Sequence, residues 1–134
     1  ELSPDITPYE AGLGFAVALD KPGGFKGRAK LAALKGHLPS RRVVSLVVDA
    51  PHTNLWGGEL ILRDGAPAGF VTSAAFGHTI GRPVALGIVN AGDAPLTQEW
   101  LAAGRWEIDL AGERHDATVT LKAPYDPASL RVKS

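Results

Sequence analysis

The chain has 134 residues, the length of a single domain, and a chain of this size can bury a core without disulfides or metals. Fourteen lysines and arginines balance fourteen aspartates and glutamates, so there is no overall basic field to attract a nucleic-acid backbone, and we expect no nucleic-acid partner. The absence of cysteine excludes thiolate metal sites and cysteine nucleophiles. No apolar run reaches the ~20 residues that span a membrane, so we expect no membrane partner.

Glycine and proline are abundant, with 16 and 10 residues, and this composition favours many short elements joined by turns. The sequence contains no methionine and opens with Glu1-Leu2-Ser3-Pro4. We interpret it as a piece of a longer polypeptide or as a processed product.

Residues 1–40 carry two predicted elements. The apolar stretch at residues 14–19 (GFAVAL) predicts a buried strand that ends at Asp20. Residues 26–35 suit a helix, because Leu31 and Leu34 are three apart on one face. Gly36 follows in the position of a left-handed C-terminal cap.

Beyond residue 40 the pattern changes to short strands and tight turns. Strands are predicted at residues 42–49, 59–63, 68–72, 83–89, 106–110 and 117–121, with a short helix that begins near Pro95 at 95–103. Asp64-Gly65 is a hairpin-turn dipeptide, and Ala111-Gly112 between the last two alternating strands predicts a second hairpin. A small antiparallel barrel or sandwich fits this series, and we expect a closed or nearly closed barrel with the 26–35 helix outside it. Its predicted core residues are Val44, Leu46, Val48, Ile61, Val71, Leu86, Ile88, Ile108 and Val119.

The sequence offers little recognisable catalytic chemistry. The four histidines, at positions 37, 52, 78 and 115, do not pair at helical or strand spacing, so we expect no metal site. The glycine pairs do not extend into a dinucleotide or P-loop fingerprint. No Gly-x-Ser-x-Gly nucleophile elbow occurs.

Two features remain as candidate sites. Arg41-Arg42 directly precedes a predicted buried strand, where the planar guanidinium suits a carboxylate; a solvated pair at a strand end is the alternative. Residues 72–81 form a polar loop that contains an aromatic residue and a histidine, and such loops either bear function or merely connect strands.

Several stretches form a familiar set. Residues 6–14 have the sequence ITPYEAGLG, residues 25–31 have FKGRAKL, and residues 71–89 contain VTS, TIG and VALGIV in order. Together they resemble the glycine-cleavage T-protein (aminomethyltransferase) family, whose segments are T-P-x-E-A-G-L-G, F-I-G-R-E-A-L and T-S followed by T-L-G and an I-A-L run. Lys26 and Lys30 depart from the second segment. The resemblance covers nearly the whole chain and implies a Greek-key-type barrel at the carboxyl end.

Finer details are similar to one branch of that family. Residues 56–59 (WGGE), 77–79 (GHT) and 123–127 (APYDP) look like the carboxyl-terminal part of sarcosine and dimethylglycine dehydrogenases. In those proteins a flavin domain oxidises an N-methyl group to an iminium, and a T-protein-like part transfers the one-carbon unit to tetrahydrofolate. The resemblance therefore implies tetrahydrofolate at the parent's site and FAD in an upstream domain, outside this chain.

The resemblance also divides the chain and assigns candidate residues. It implies that residues 1–40 are the tail of a preceding folate-binding domain and that residues 41–134 are the terminal barrel domain. The family's catalytic residues lie upstream, so no catalytic residue is expected here and the chain alone should be inactive. Arg41 matches the family's arginine beside the folate tail, whereas Trp56 could stack on a ring and His78 could hydrogen-bond a ligand; packing and a satisfied loop histidine are the alternatives for the last two.

The expected partners are folate and the upstream domains of the same parent chain, in the bacterial cytoplasm or the mitochondrial matrix. An alternative is a non-catalytic module: a folate-binding or interaction domain of a T-protein relative with a regulatory role. The upstream sequence would separate these readings, because a dinucleotide-binding glycine fingerprint there indicates a flavoenzyme.

Overall fold

Six antiparallel strands close into a barrel in the computed structural model, which describes residues 1–131 and Lys133. The strand order around the barrel is β1-β4-β3-β2-β5-β6. Because β1 lies beside β4 while β2, β3 and β4 follow one another, the arrangement is of the Greek-key type. The predicted fold class, a mostly β chain with a small antiparallel barrel, is confirmed. The strands are β1 (Arg41–Val48), β2 (Leu60–Arg63), β3 (Ala66–Gly77), β4 (Arg82–Asn90), β5 (Trp106–Leu110) and β6 (Glu113–Thr120).

Two of the hairpins have two-residue turns, which fix the local register of their strands. Asp64 and Gly65 join β2 to β3 with φ of 52° and 82°, and Ala111 and Gly112 join β5 to β6 with φ of 51° and 94°. Two consecutive residues with positive φ make the turn type whose twist matches that of the flanking strands. The turn predicted at Asp64-Gly65 is confirmed, and so is the second hairpin.

Among the residues that the structure describes, two short α-helices accompany the barrel. α1 (Arg28–Leu34) has no buried side chain and lies inside the predicted 26–35 range, with Gly36 at φ 85° after its end. α2 (Gln98–Ala102) begins later than predicted, because Oγ1 of Thr97 accepts a hydrogen bond from the backbone N–H of Trp100 at 3.1 Å. This side-chain cap, rather than Pro95, sets the start of the helix.

The strand predicted at residues 14–19 is wrong. Gly14–Ala16 form a single 3₁₀ turn without buried residues, and the Phe15 side chain is 88% exposed. A strand needs an edge to pair with, but the closed barrel leaves β1 flanked by β4 and β6. The apolar run therefore has no sheet to join.

The barrel core confirms seven of the nine predicted residues and corrects two. Leu86 is 37% exposed and Ile88 is only half-buried, whereas their neighbours on β4 face inward. Residues 84–89 are apolar on both faces, so alternation could not determine which set points inward. The register decides it, because inward-facing Val44 and Leu46 of β1 pair with Gly87 and Ala85 of β4. Small residues oppose large ones there: a Cβ atom at Gly87 would lie 2.6 Å from Cδ1 of Ile61.

Candidate functional site

The outward side of β1, β4 and β3 is largely apolar, with two serines, Ser45 and Ser73, in its middle. Because inward and outward positions alternate, three rows of paired residues face out of the barrel across these strands. Phe70 is 49% exposed and Leu86 is 37% exposed. We call this surface the outer face; its rows are Val43–Ile88–Phe70, Ser45–Leu86–Ser73 and Val47–Val84–Ala75.

The opposite side of the barrel is charged. On β5 and β6, Glu107 pairs in register with Asp116, and Asp109 pairs with Arg114. Arg105 lies 3.0 Å from the Asp116 carboxylate and 3.6 Å from that of Glu107. The hydrogen bond from Arg105 to Asp116 raises the pKa of the Arg105 guanidinium further. Charged side chains therefore cover the β5–β6 side of the barrel, whereas the outer face is largely apolar.

Arg41 lies at one end of the outer face, at the start of β1. Its Nε donates to Oε1 of Glu10 at 2.9 Å, and its Nη2 donates to the backbone carbonyl of Asp5. The side chain lines a cavity of about 320 Å³ together with Phe70 and Ile88 of the outer face. We call this cavity the Arg41 pocket; Ser3, Asp5, Ile6, Ala68, Gly69 and Asn90 complete it.

Glu10 is firmly held beneath Arg41. Its Oε2 accepts hydrogen bonds from the backbone N–H of Thr7 at 2.7 Å and from the Thr7 hydroxyl at 2.8 Å. The backbone carbonyl of Glu10 accepts from the N–H of Val43 at 2.9 Å, which fastens the segment to β1. Burial acts to raise the pKa of the Glu10 carboxyl, but the hydrogen bonds from Arg41 and Thr7 outweigh it and the pKa lies below its ordinary value.

Trp56 lies in a hydrogen-bonded turn beside β3. Its indole is 87% exposed. The Glu59 carboxylate accepts hydrogen bonds from the N–H groups of Trp56 and Gly57, at 2.6 and 2.9 Å. Gly57 has φ 102°, and a Cβ atom there would lie 3.2 Å from the carbonyl oxygen of Thr72. The turn therefore requires glycine and fixes the position of the exposed tryptophan.

His78 lies in the hairpin that joins β3 to β4. It is exposed, and its ring packs edge-on against Phe76 with the ring centroids 5.2 Å apart. A groove of about 290 Å³ runs past it to Pro124 and Tyr125. This groove shares Val84 and Pro124 with a neighbouring groove of about 340 Å³ that includes Leu86 of the outer face.

The structure does not gather the three candidate residues into one pocket. Arg41 pairs with Asn90 at one end of β4, whereas the His78 hairpin ends at Arg82, the first residue of β4, at the other end. Eight residue steps at ~3.3 Å place the two ends of β4 roughly 26 Å apart. Trp56 lies between them, beside the middle of β3.

Sequence reasoning missed the residues that surround Arg41. Glu10 belongs to the ITPYEAGLG stretch, so the motif contained a signal for it, but nothing in the sequence placed it against Arg41. Phe70 and Asn90 carried no signal of their own. Within residues 1–131 and Lys133, no group of three or more histidines and acidic residues could hold a metal ion, and no helix is long and apolar enough to cross a membrane.

Comparison with known proteins decides the family. Residues 41–126 match the family model described as the glycine cleavage T-protein C-terminal barrel domain. The chain belongs to the glycine cleavage T-protein family. The match begins at the first residue of β1 and spans the whole barrel.

The proteins that match this chain differ in their named functions. The chain is 33% identical to 4-methylaminobutanoate oxidase (formaldehyde-forming) of Paenarthrobacter nicotinovorans and 33% identical to mitochondrial sarcosine dehydrogenase of Mus musculus, over 99% of its length in both cases. It is 34% identical, over 90% of its length, to the mitochondrial pyruvate dehydrogenase phosphatase regulatory subunit of Mus musculus. These matches cover only 14–15% of the relatives.

A solved structure has the same fold. The glycine cleavage system aminomethyltransferase T of Bartonella henselae superposes with a TM-score of 0.68 at 27% identity, over 89% of this chain and 32% of that one. In the three relatives named above and in this solved structure, the sequence that matches this chain is therefore one part of a much longer polypeptide.

Proposed function

We propose that the chain is the C-terminal barrel domain of a folate-dependent one-carbon enzyme of the sarcosine and dimethylglycine dehydrogenase type. In this proposal the domain helps to close the tetrahydrofolate site and contributes no catalytic residue. The observation that carries it is the outer face: a largely apolar sheet surface that ends at a pocket containing an arginine.

The outer face supports packing against upstream domains of the same polypeptide. Phe70 and Leu86 are exposed on it, while the ion pairs of β5 and β6 lie on the other side of the barrel. Contiguous apolar surface of this kind marks an interface. The relatives, in which the matching sequence is a small part of a long chain, are consistent with domains that would cover it. FAD would be bound by one of those domains and not by this one.

Arg41 is the residue we propose to contact folate. Nε and Nη2 are used within the chain, whereas Nη1 has no hydrogen-bond partner among the described residues. The Arg41 side chain is 37% exposed, so a carboxylate at the folate tail can reach it and form a charge-assisted hydrogen bond. Trp56, as a residue that stacks on a ring, and His78, as a hydrogen-bond partner of a ligand, are proposed as separate contacts outside the Arg41 pocket.

The same proposal assigns the chain's organisation and setting. Residues 1–40 would be the tail of the preceding folate-binding domain and residues 41–134 the barrel domain. The hydrogen bonds from Arg41 to Glu10 and from Val43 to Glu10 support a fixed junction between the two parts. We propose the bacterial cytoplasm or the mitochondrial matrix as the compartment.

Arg41→Ala in the full-length protein tests the folate contact. A hydrogen bond between charged groups contributes ~1.5–3 kcal/mol when shielded from water, and exposure reduces this towards ~0–1 kcal/mol. At the observed exposure we expect tetrahydrofolate binding to weaken about 3- to 30-fold, measured by calorimetric titration. Arg41→Lys should restore only part of the loss, because an ammonium group cannot reproduce the planar fork.

The control is Arg105→Ala, which removes another ion-paired arginine from the charged side of the barrel. It should leave folate affinity unchanged. Reduction of the flavin by a methylated amine should stay at the wild-type rate in both variants, since that step occurs in another domain. If Arg41→Ala binds tetrahydrofolate as tightly as wild type, Arg41 is a solvated strand-end charge and the assignment is wrong.

A second candidate function is a regulatory module without one-carbon chemistry. The likeness to a phosphatase regulatory subunit favours it, because the same domain would then occur in a protein named for regulation. Steady-state assays of the full-length protein with methylated amines and tetrahydrofolate separate the candidates. Turnover supports the enzyme, whereas folate binding without turnover on any methylated amine supports the regulatory module.

A further inference from the structure

We infer that Glu10 is a positioning residue, which fixes the Arg41 guanidinium at the edge of the Arg41 pocket to receive the carboxylate of a ligand whose apolar part lies on Phe70 and Ile88. This inference rests on the proposed function, because it assigns to Glu10 a part in binding the carboxylate-bearing half of folate. It concerns the orientation of Arg41 and not its charge.

The carboxylate of Glu10 is itself held on both sides. One oxygen accepts two hydrogen bonds from Thr7, and the other accepts from Nε of Arg41 at 2.9 Å. The Glu10 side chain is only 16% exposed, so it has little freedom to follow a mobile arginine. The rigid partner therefore fixes the arginine, rather than the reverse.

Arg41 is bound in a way that leaves one side of its fork available. The Glu10 carboxylate accepts a hydrogen bond from Nε of Arg41, and the Asp5 carbonyl oxygen accepts one from Nη2. Such fixation removes most of the rotamer freedom of a long side chain before a ligand arrives, which lowers the entropic cost of binding. An unrestrained arginine at the same position would have to lose that freedom in the complex.

The pocket indicates the class of ligand. Phe70, Ile88 and Ile6 give it apolar walls, and Arg41 is the only cationic residue that lines it in the described part of the chain. Asp5 also lines the pocket, and its backbone carbonyl already accepts from Arg41. A carboxylate joined to an aromatic or apolar group would place each part against a matching surface.

Orientation and charge make opposite predictions for Glu10→Gln. Removal of a negative charge next to Arg41 makes the local potential more positive, so an effect of charge alone would tighten the binding of an anion. Loss of the rigid ion pair releases the guanidinium, so a positioning role weakens binding. The direction of the change therefore distinguishes the two.

The experiment measures the binding of two probes to the full-length protein by calorimetry. N-(4-aminobenzoyl)-L-glutamate carries the aromatic ring and carboxylates of folate, and 6-methyltetrahydropterin carries neither. Glu10→Gln should weaken the first probe about 3- to 30-fold and leave the second unchanged. In an Arg41→Ala background, Glu10→Gln should cause no additional loss, because coupled residues are not additive.

Matched variants separate positioning from folding. Glu107→Gln removes a carboxylate of similar burial, 13% exposed and paired with Arg105, and should not affect either probe. Glu10→Asp keeps the charge and should recover part of the affinity. If Glu10→Gln does not fold, Thr7→Val loosens the Glu10 carboxylate without changing any charge and should weaken the first probe in the same direction.

The outcomes distinguish this inference from the proposed function. If tetrahydrofolate binds but Glu10→Gln leaves the carboxylate probe unchanged or tightens it, the inference is overturned and the folate proposal stands. If the carboxylate probe binds in a Glu10-dependent way but tetrahydrofolate does not bind, the folate proposal falls and the role of Glu10 stands. Binding of neither compound overturns both.

Discussion

Leucine-to-alanine substitutions on two neighbouring strands test both the register of the barrel and the burial of the outer face. Leu46 of β1 is fully buried, and Leu86 of β4 lies on the outer face with 37% of its surface exposed. They belong to consecutive residue pairs of the β1–β4 ladder, since Leu46 pairs with Ala85 and Leu86 pairs with Ser45. The sequence pattern assigns both leucines to the core, whereas the structure assigns only one.

The two costs follow from burial. Leu46→Ala removes buried methyl and methylene groups and leaves a cavity in a closed barrel, so we expect a loss of about 3–4 kcal/mol. Leu86→Ala leaves no enclosed cavity, because solvent fills the space. At ~0.8 kcal/mol for each buried CH₂ group, scaled by the part of Leu86 that is covered, we expect a loss of about 1–1.5 kcal/mol.

Urea denaturation of the 134-residue chain, followed by tryptophan fluorescence, measures both differences. Leu86→Ala should cost more in the full-length protein than in the isolated chain, if upstream domains cover the outer face as proposed. The m-value should stay constant in each series, so that the midpoints report stability alone. Equal losses for the two variants in the isolated chain would refute the inward assignment of Ala85, Gly87 and Val89.

Three further predictions address a close backbone approach, pH and activity. A Cβ atom at Gly69 would collide with the carbonyl oxygen of Ile88 and lie 2.9 Å from its carbonyl carbon. Gly69→Ala should therefore lower the free energy of unfolding by about 3 kcal/mol or more and lower the urea midpoint. A midpoint equal to that of the wild type would contradict this prediction. The pKa of Glu10 is lower in the folded chain than its ordinary value of 4.5, so the stability that Glu10 contributes is complete above pH 4.5 and is lost as the pH falls through the lower, folded value. The difference in unfolding free energy between wild type and Glu10→Gln should accordingly shrink on acidification, and a difference that grows would have the wrong sign. The isolated chain, incubated with sarcosine or dimethylglycine, an electron acceptor and tetrahydrofolate, should yield no product above background; saturable turnover would refute the assignment of catalysis to other domains.

Local signals in the sequence were sufficient for most of the barrel. Asp64-Gly65 defines a turn because both residues must adopt positive φ, a requirement set by two adjacent residues alone. Strand β5 alternates between apolar and charged residues, so its bounds, Trp106–Leu110, are those predicted. Thr97 shows the limit of such reasoning: its cap moved the start of α2 past Pro95.

By itself, the sequence determined the fold class, the hairpins, most of the core and the resemblance to a family, because each depends on neighbouring residues or on motifs in order. Tertiary structure alone decided which side of β4 faces inward, since an apolar run has no alternation and only its pairing with Val44 and Leu46 selects the small residues for the interior. It also decided the surroundings of Arg41. Glu10 is 31 positions away in the chain, and the two residues meet because the amino-terminal segment is hydrogen-bonded to β1 through Val43.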